Sequence, residues 1–201
     1  MDALIMAGGK GTRLGLKVEK PLLTFKNIPL VERVLTALRN ASCIGRIFAA
    51  TSPHTPRTTE HLKRLGVRVV LTPGRGYVED LCYALRALKL SVVMVVASDL
   101  PLIRAQEVVE VAGEYARLSA TALATMVPLE VFRRYSLTPT LVIHNLVPAG
   151  VNIIDARHLG GEEEVYVTEN IRLAVNVNSL EDLRKAEEIR RILNADKQRT
   201  P

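Results

Sequence analysis

The chain has 201 residues, 48% hydrophobic and 24% charged, the balance of a globular protein long enough to bury a sizeable core in one domain, expected over 1–201. Its longest apolar runs, such as Val92–Ala97, are far too short to cross a bilayer. No basic n-region follows Met1, so a cytoplasmic protein is expected, with Cys43 and Cys82 as buried reduced thiols rather than a disulfide framework.

In chain order, Ala3–Met6 is an apolar run ending in glycines, the pattern of a strand buried on both faces. Pro29 suits the first turn of a helix striped by Leu30, Val31, Val34, Leu35 and Leu38. Ile47–Thr51 reads as a strand, and Thr55-Pro56 opens a helix that Gly66 stops. Val67–Leu71 is a third strand, followed by the loop Thr72-Pro-Gly-Arg-Gly76. Tyr77–Leu88 is a helix with Val78, Leu81, Cys82, Leu85 and Leu88 on one face, and Val92–Ala97 is a fourth strand ending in Ser98-Asp-Leu-Pro101. Strands alternating with helices at this spacing predict an α/β fold: three layers, with a mostly parallel, Rossmann-like sheet and helices on both faces. Residues 120–175 are less regular, with strands expected at Thr121–Val127, Leu141–Ile143 and Val151–Ile154, and a return to the sheet at Arg172–Val177. Ser179–Asn194 closes the chain as an amphipathic helix with Glu181 and Asp182 in its first turn.

The charge balance is 27 Lys and Arg against 21 Asp and Glu, a net of +6, which suits an anionic partner. Nucleic acid is disfavoured: there is no Trp, and the five Tyr and three Phe are scattered. Residues 1–27 instead gather five cations, Lys10, Arg13, Lys17, Lys20 and Lys26, against Asp2 and Glu19, a focus that fits a small polyphosphate.

Ligands of such sheets bind where strands end at their carboxyl edge, and the loops at 7–20, 72–76 and 98–101 all fall there. The first, Met6-Ala-Gly-Gly-Lys-Gly-Thr-Arg-Leu-Gly15, matches neither the P-loop string nor the dinucleotide fingerprint, whose last glycine would stand one place earlier. Its backbone N–H groups can still approach phosphate oxygens, and Arg13 offers a bidentate fork. His54, His61, His144 and His158 lack metal-ligand spacing and are expected to be structural or superficial.

The pattern Gly8-Gly9-x-Gly11-x-Arg13-Leu14-Gly15 followed by Lys20-Pro21-Leu22 resembles the nucleotidyltransferase superfamily of sugar-nucleotide pyrophosphorylases and molybdenum-cofactor guanylyltransferase. The resemblance implies that fold, with Ala7, Gly8, Gly9, Lys10, Gly11 and Thr12 wrapping an NTP. Arg13 and Lys20 would act on its phosphates, and Asp99, in Ser98-Asp-Leu-Pro101, would bind Mg2+ as a catalytic carboxylate. Asn178, in Val177-Asn-Ser-Leu-Glu-Asp-Leu183, would be a second metal ligand. Thr72, Gly74, Gly76 and Asp80 fall where related enzymes place base and ribose contacts; Asp80 and Glu79 equally suit a helix N-terminus. More narrowly, Asp2–Arg13, Ala50-Thr-Ser-Pro53, Gly74–Leu81 and Leu146-Val-Pro-Ala149 with Asn152 resemble the archaeal adenosylcobinamide-phosphate guanylyltransferases. That likeness implies GMP transfer from GTP to adenosylcobinamide phosphate with release of pyrophosphate, and Asn152 as the acceptor-binding residue. Guanylyl transfer to molybdopterin, cytidylyl or uridylyl transfer to a small sugar or polyol phosphate, and a silent nucleotide-binding regulator remain alternatives. The presence of Arg13, Lys20 and Asp99 together favours turnover. Oligomeric state is open, pairing into a homo-oligomer included.

Overall fold

A computed structural model describes residues 1–11, 18–118 and 120–199. Its frame is a seven-stranded sheet. Strand β1 (Asp2–Met6) lies between β4 (Ile47–Thr51) and β6 (Val92–Ala97), parallel to both, and β5 (Arg68–Leu71) extends the parallel set beyond β4. On the other side β8 (Leu146–Asp155) runs antiparallel to β6, followed by β7 (Ala122–Pro128) and the edge strand β9 (Glu163–Val167). The order is therefore β5-β4-β1-β6-β8-β7-β9. A separate hairpin pairs β2 (Thr24–Phe25) with β3 (Ile28–Pro29). Its two-residue turn, Lys26-Asn27, has φ of +54° and +60°, the left-handed pair that matches strand twist.

Each central strand is apolar on both faces because both are covered. Ala3, Ile5, Ala49, Met94 and Val96 share one core with α1 (Leu30–Arg39), α2 (Pro56–Arg64), α4 (Ala105–Arg117) and α7 (Leu180–Arg199). The alternate residues Leu4, Phe48, Ala50, Val93 and Val95 pack on Leu81, Ala84 and Leu85 of α3 (Tyr77–Leu88). All five residues of the α1 stripe are buried, whereas Val78, expected on the apolar face of α3, is 69% exposed. Cys43 and Cys82 are free and half-buried rather than buried. No helix among the described residues is long and apolar enough to cross a membrane.

Two expected strands are absent. Leu141–Ile143 forms only a bridge from Ile143 to Leu146, because His144 and Asn145 turn the chain at once with φ of +47° and +64°. Arg172–Val177 does not rejoin the sheet. Asn170 caps a short helix, α6 (Ile171–Ala174), its Oδ1 accepting from the Arg172 N–H at 3.1 Å. The segment beyond touches the sheet end through one bond, from the Val177 N–H to the Asp99 carbonyl at 3.0 Å. β9, α5 (Leu129–Arg134) and the β2–β3 hairpin had no counterpart in the sequence reading, and α7 continues past Asn194.

Candidate active site

The chain leaves β1 toward β4 on one side, and β6 lies on the other, so the carboxyl ends of β1 and β6 form a topological switch point. Gly8 follows β1 and presses on the turn after β4. A Cβ there would stand 3.2 Å from Ser52 Cβ and 3.3 Å from its backbone nitrogen, and the Ser52 hydroxyl donates to the Gly8 carbonyl at 2.6 Å. Gly11 turns with φ of +60° and leaves only 3.2 Å between a hypothetical Cβ and Lys20 Cβ. Thr12 and Arg13 lie outside the described residues.

Glu19 anchors the far end of this loop. Its carboxylate accepts from the Arg57 and Thr58 N–H groups at 2.8 and 2.7 Å and from the Thr58 hydroxyl at 2.6 Å. It thus caps α2, whose own N-cap residue, Thr55, makes no side-chain cap bond. With Glu19 committed, its neighbour Lys20 pairs elsewhere. The Lys20 ammonium donates to Asp99 Oδ2 at 2.5 Å and to Asn178 Oδ1 at 2.7 Å, joining residues 79 and 158 positions away. The Lys20 and Asp99 side chains are only 17% and 14% exposed. Asp99 Oδ1 is buried without a hydrogen-bond partner.

Asn178 is held from the helix side. Asp182 Oδ2 accepts from the Asn178 and Ser179 N–H groups at 2.7 and 2.8 Å, and the Asp182 N–H donates back to the Ser179 hydroxyl at 3.1 Å. This reciprocal cap opens α7.

Around Lys20 and Asp99 opens a cavity of about 410 Å³. Gly8, Gly9 and Lys10 form one wall, Thr72, Gly74, Gly76 and Asp80 another. Ala7 is buried beneath, in the core. Asp80 braces the second glycine loop: its Oδ1 accepts from the Gly74 N–H at 2.8 Å and the Arg75 N–H at 3.4 Å. Thr72 is hooked to the end of β4, its hydroxyl donating to the Thr51 carbonyl at 2.9 Å. His54, expected to be structural or superficial, lines this cavity, as do Arg75, Tyr77 and Ser98, to which the sequence analysis gives no role. His54 belongs to the turn after β4, at the same carboxyl edge, with Nε2 3.4 Å from the Gly74 carbonyl; applying the edge rule to β4 would have found it. The pKa of the Tyr77 phenol is raised by crowding from the protein around it and by the nearby Asp99 charge.

A second cavity, about 250 Å³, opens on the other side of Asp99. Phe132, Leu137, Leu141 and Val147 give it apolar walls, and Asn176 and Asn178 reach it from the segment before α7. Asn152 borders neither cavity. It sits mid-sheet on β8, and its Oδ1 accepts from the Thr125 N–H at 3.1 Å, where the pairing of β7 slips between Ala124 and Met126. Its carboxamide closes a β-bulge.

Two concave sites sharing one carboxylate can hold two ligands on either side of the Lys20–Asp99 pair. A family model described as the MobA-like NTP transferase domain matches residues 3–199. The chain is 36% identical over 197 residues to an adenosylcobinamide-phosphate guanylyltransferase of Methanocaldococcus jannaschii, covering 93% of this chain and 96% of that one. A hypothetical transferase from Thermus thermophilus superimposes with a TM-score of 0.67 at 20% identity, over 90% of this chain and 98% of the other. A CMP:2-keto-3-deoxy-manno-octonic acid synthetase complexed with CTP gives 0.59 at 12% identity, over 98% and 86%. At such identities the last two carry the fold alone.

Proposed function

The chain belongs to the family of MobA-like NTP transferase domains and is a nucleotidyltransferase; from that premise we propose that it transfers GMP from GTP to adenosylcobinamide phosphate, releasing pyrophosphate, in adenosylcobalamin biosynthesis. The observation that carries this reading is the meeting of two cavities at the Lys20–Asp99–Asn178 cluster, in a chain alike over nearly its whole length to a guanylyltransferase of that acceptor.

GTP would lie in the larger cavity, its phosphates against the N–H groups of Gly8–Lys10 and its guanosine toward the Thr72–Asp80 loop. The acceptor phosphate would enter from the smaller cavity. An acceptor oxygen attacks the α-phosphorus, the new P–O bond forms, and the bond to the β-phosphate oxygen breaks in line with it. A phosphate monoester already bears an unprotonated oxygen near neutral pH, its second pKa being about 6, so no general base is required. The charge problem dominates. Lys20, placed between the cavities, neutralises the phosphates that meet there; Lys10 and Arg13 serve the triphosphate and the departing pyrophosphate.

Mg2+ fits the residues present. Asp99 Oδ1 is a buried acceptor lacking a partner, and Asn178 Oδ1 faces the other carboxylate oxygen, Asp99 Oδ2, across the Lys20 ammonium. Among the described residues no cluster of three or more His, Cys, Asp or Glu could hold a metal, which suits an ion held by one carboxylate plus substrate phosphates. When bound, the ion would supply charge neutralisation on phosphate oxygens. The cytoplasm, where GTP is available and thiols stay reduced, is the compartment this reading assigns.

The test is calorimetric binding of GTP, ATP, CTP and UTP with Mg2+, followed by pyrophosphate release on adding adenosylcobinamide phosphate. GTP-selective binding with acceptor-dependent release is expected. GTP-selective binding with turnover only on molybdopterin would replace the acceptor, and absence of any GTP preference would refute the guanylyltransferase reading.

A further inference from the structure

The smaller cavity opens onto a ledge that neither core accounts for. Leu141, Val142 and Ile143 are consecutive aliphatic residues, 54%, 43% and 43% exposed. Three large apolar side chains in a row facing water mark a surface with something to cover it. The ledge is held in place at both ends. Thr140, just before it, accepts from Asn178 Nδ2 at 3.1 Å. Just after it, Ile143 and Leu146 exchange two backbone bonds of 2.8 Å around the His144-Asn145 turn. Leu137 and Leu141 also line the cavity, so the first residue of the ledge is part of the cavity wall.

The inner end is different. Two oxygens of residues bordering the cavity, Asp99 Oδ1 and Asn176 Oδ1, are buried with no hydrogen-bond partner. Asn176 sits against the end of β6: a Cβ on Gly150 would stand 3.1 Å from Ala97 Cβ and 3.6 Å from Asn176 Nδ2. The cavity is thus short of donors or cations inside and apolar at its mouth. What enters must bring those oxygens an N–H donor or a cation-paired phosphate, and what stays outside meets an aliphatic rim.

We propose that the Leu141–Ile143 ledge binds the macrocycle of the acceptor while the cavity takes only the phosphate and its short amide-linked arm, so that this ledge selects a corrinoid over smaller phosphate monoesters. The proposal rests on the guanylyl-transfer reading above and adds to it the surface that chooses the acceptor. A compact acceptor would fill the cavity and leave the ledge bare; an acceptor with a large ring system cannot enter and must lie on the rim. Leu141 of the ledge and Asp99 line the same cavity, which ties that rim to the reaction centre.

The test compares kcat/KM for adenosylcobinamide phosphate with kcat/KM for 1-amino-2-propanol phosphate, the same arm without the macrocycle, in the wild type and in the double variant Val142→Ser/Ile143→Ser. Both positions are half-exposed, and the GTP dissociation constant serves as the control for an intact fold. The wild type is expected to favour the corrinoid by about a hundredfold, chiefly in KM. Removing two aliphatic side chains that the ring would bury should cut that advantage about tenfold or more. Equal use of both phosphates by the wild type would overturn the proposal and leave guanylyl transfer standing. An unchanged ratio in the double variant would overturn it too, and a shift from dimer to monomer alongside would show that the ledge joins two copies of the chain. Pyrophosphate release from neither phosphate, with GTP binding intact, would refute the acceptor reading and the ledge with it.

Discussion

Replacing Lys20 with Met removes the ammonium that bridges Asp99 Oδ2 and Asn178 Oδ1 while keeping an unbranched apolar stem. Asp99 Oδ1 already lacks a partner, so the variant leaves a carboxylate with neither oxygen paired in a pocket where its side chain is 14% exposed. Stripping one partner from a fully buried pair costs about 3–5 kcal/mol; partial exposure lowers this to about 2–3 kcal/mol. For a chain of 201 residues, that is a fall in Tm of about 5–10 °C. The same substitution vacates the position between the two oxygens, Asp99 Oδ2 and Asn178 Oδ1, that are proposed to meet a metal. A divalent ion such as Mn2+, without nucleotide, should then stabilise the variant, by about 2.7 kcal/mol at a hundred times its Kd. The wild type, whose own ammonium stands there, should respond little. Scanning calorimetry of both proteins with and without Mn2+ measures both effects, and pyrophosphate release should fall steeply in the variant. A variant that melts with the wild type, or equal stabilisation of both proteins by metal, would refute the idea that lysine and metal compete for one position.

Asp80→Ala removes the acceptor that braces the Gly74 and Arg75 N–H groups, and calorimetry should show GTP binding weakened about tenfold, the worth of a charge-assisted bond of about 1.4 kcal/mol. Asn152→Ala should cost about 1–2 kcal/mol of stability by denaturant melting, through the lost bond to Thr125, yet leave the acceptor KM within about twofold; a large KM increase would restore a direct acceptor role. The Glu187 carboxyl is held down to about 2, from an ordinary 4.5, by hydrogen bonds from Arg190 and Lys26. A depressed folded pKa gives stability that is present above pH 4.5 and lost as the pH falls toward 2. The Tm difference between wild type and Glu187→Gln should therefore close across that interval, and a constant difference would contradict the assignment.

The parts of the fold legible in the sequence are those whose signal is local and doubly reinforced. Ile47–Thr51, Val92–Ala97 and Tyr77–Leu88 match residue for residue, because a strand buried on both faces is an unbroken apolar run, the helix carries a one-sided apolar stripe, and each is bounded by turn residues. Strand β9 escaped because Glu163–Val167 is an edge, mostly exposed and opening on two glutamates; only its pairing with β7, some forty positions away, makes it a strand. Leu141–Ile143 misled in the opposite way. Its apolar character is real, but it meets the sheet only through the one bridge from Ile143 to Leu146, and its side chains are exposed. Arg172–Val177 was overruled by one residue before it, since an asparagine that caps Arg172 commits the chain to a helical turn.

The two halves of the site divide along the same line. The proposed nucleotide side is made of loops directly after β1, β5 and β6, so the glycines, Lys20 and Asp99 fall at the sheet edge by strand ends, while their roles and that of Asp80 come from the family resemblance; Thr12 and Arg13 fall outside the described residues. The proposed acceptor side gathers Phe132, Leu137, Val147 and Asn176 from stretches with no shared periodicity. A polar residue on a strand, Asn152, looked available for binding there, but a bulge needs a hydrogen-bond partner for its slipped N–H, and Asn152 is that partner. Such a demand comes into being only when two strands meet out of register, which no single-strand reading contains. On the reading proposed above, nucleotide chemistry is thus written into short loops at strand ends, whereas acceptor choice is written into packing. It follows that acceptor preference can be changed by substitutions on the Leu141–Ile143 ledge that leave every element of the nucleotide loops in place.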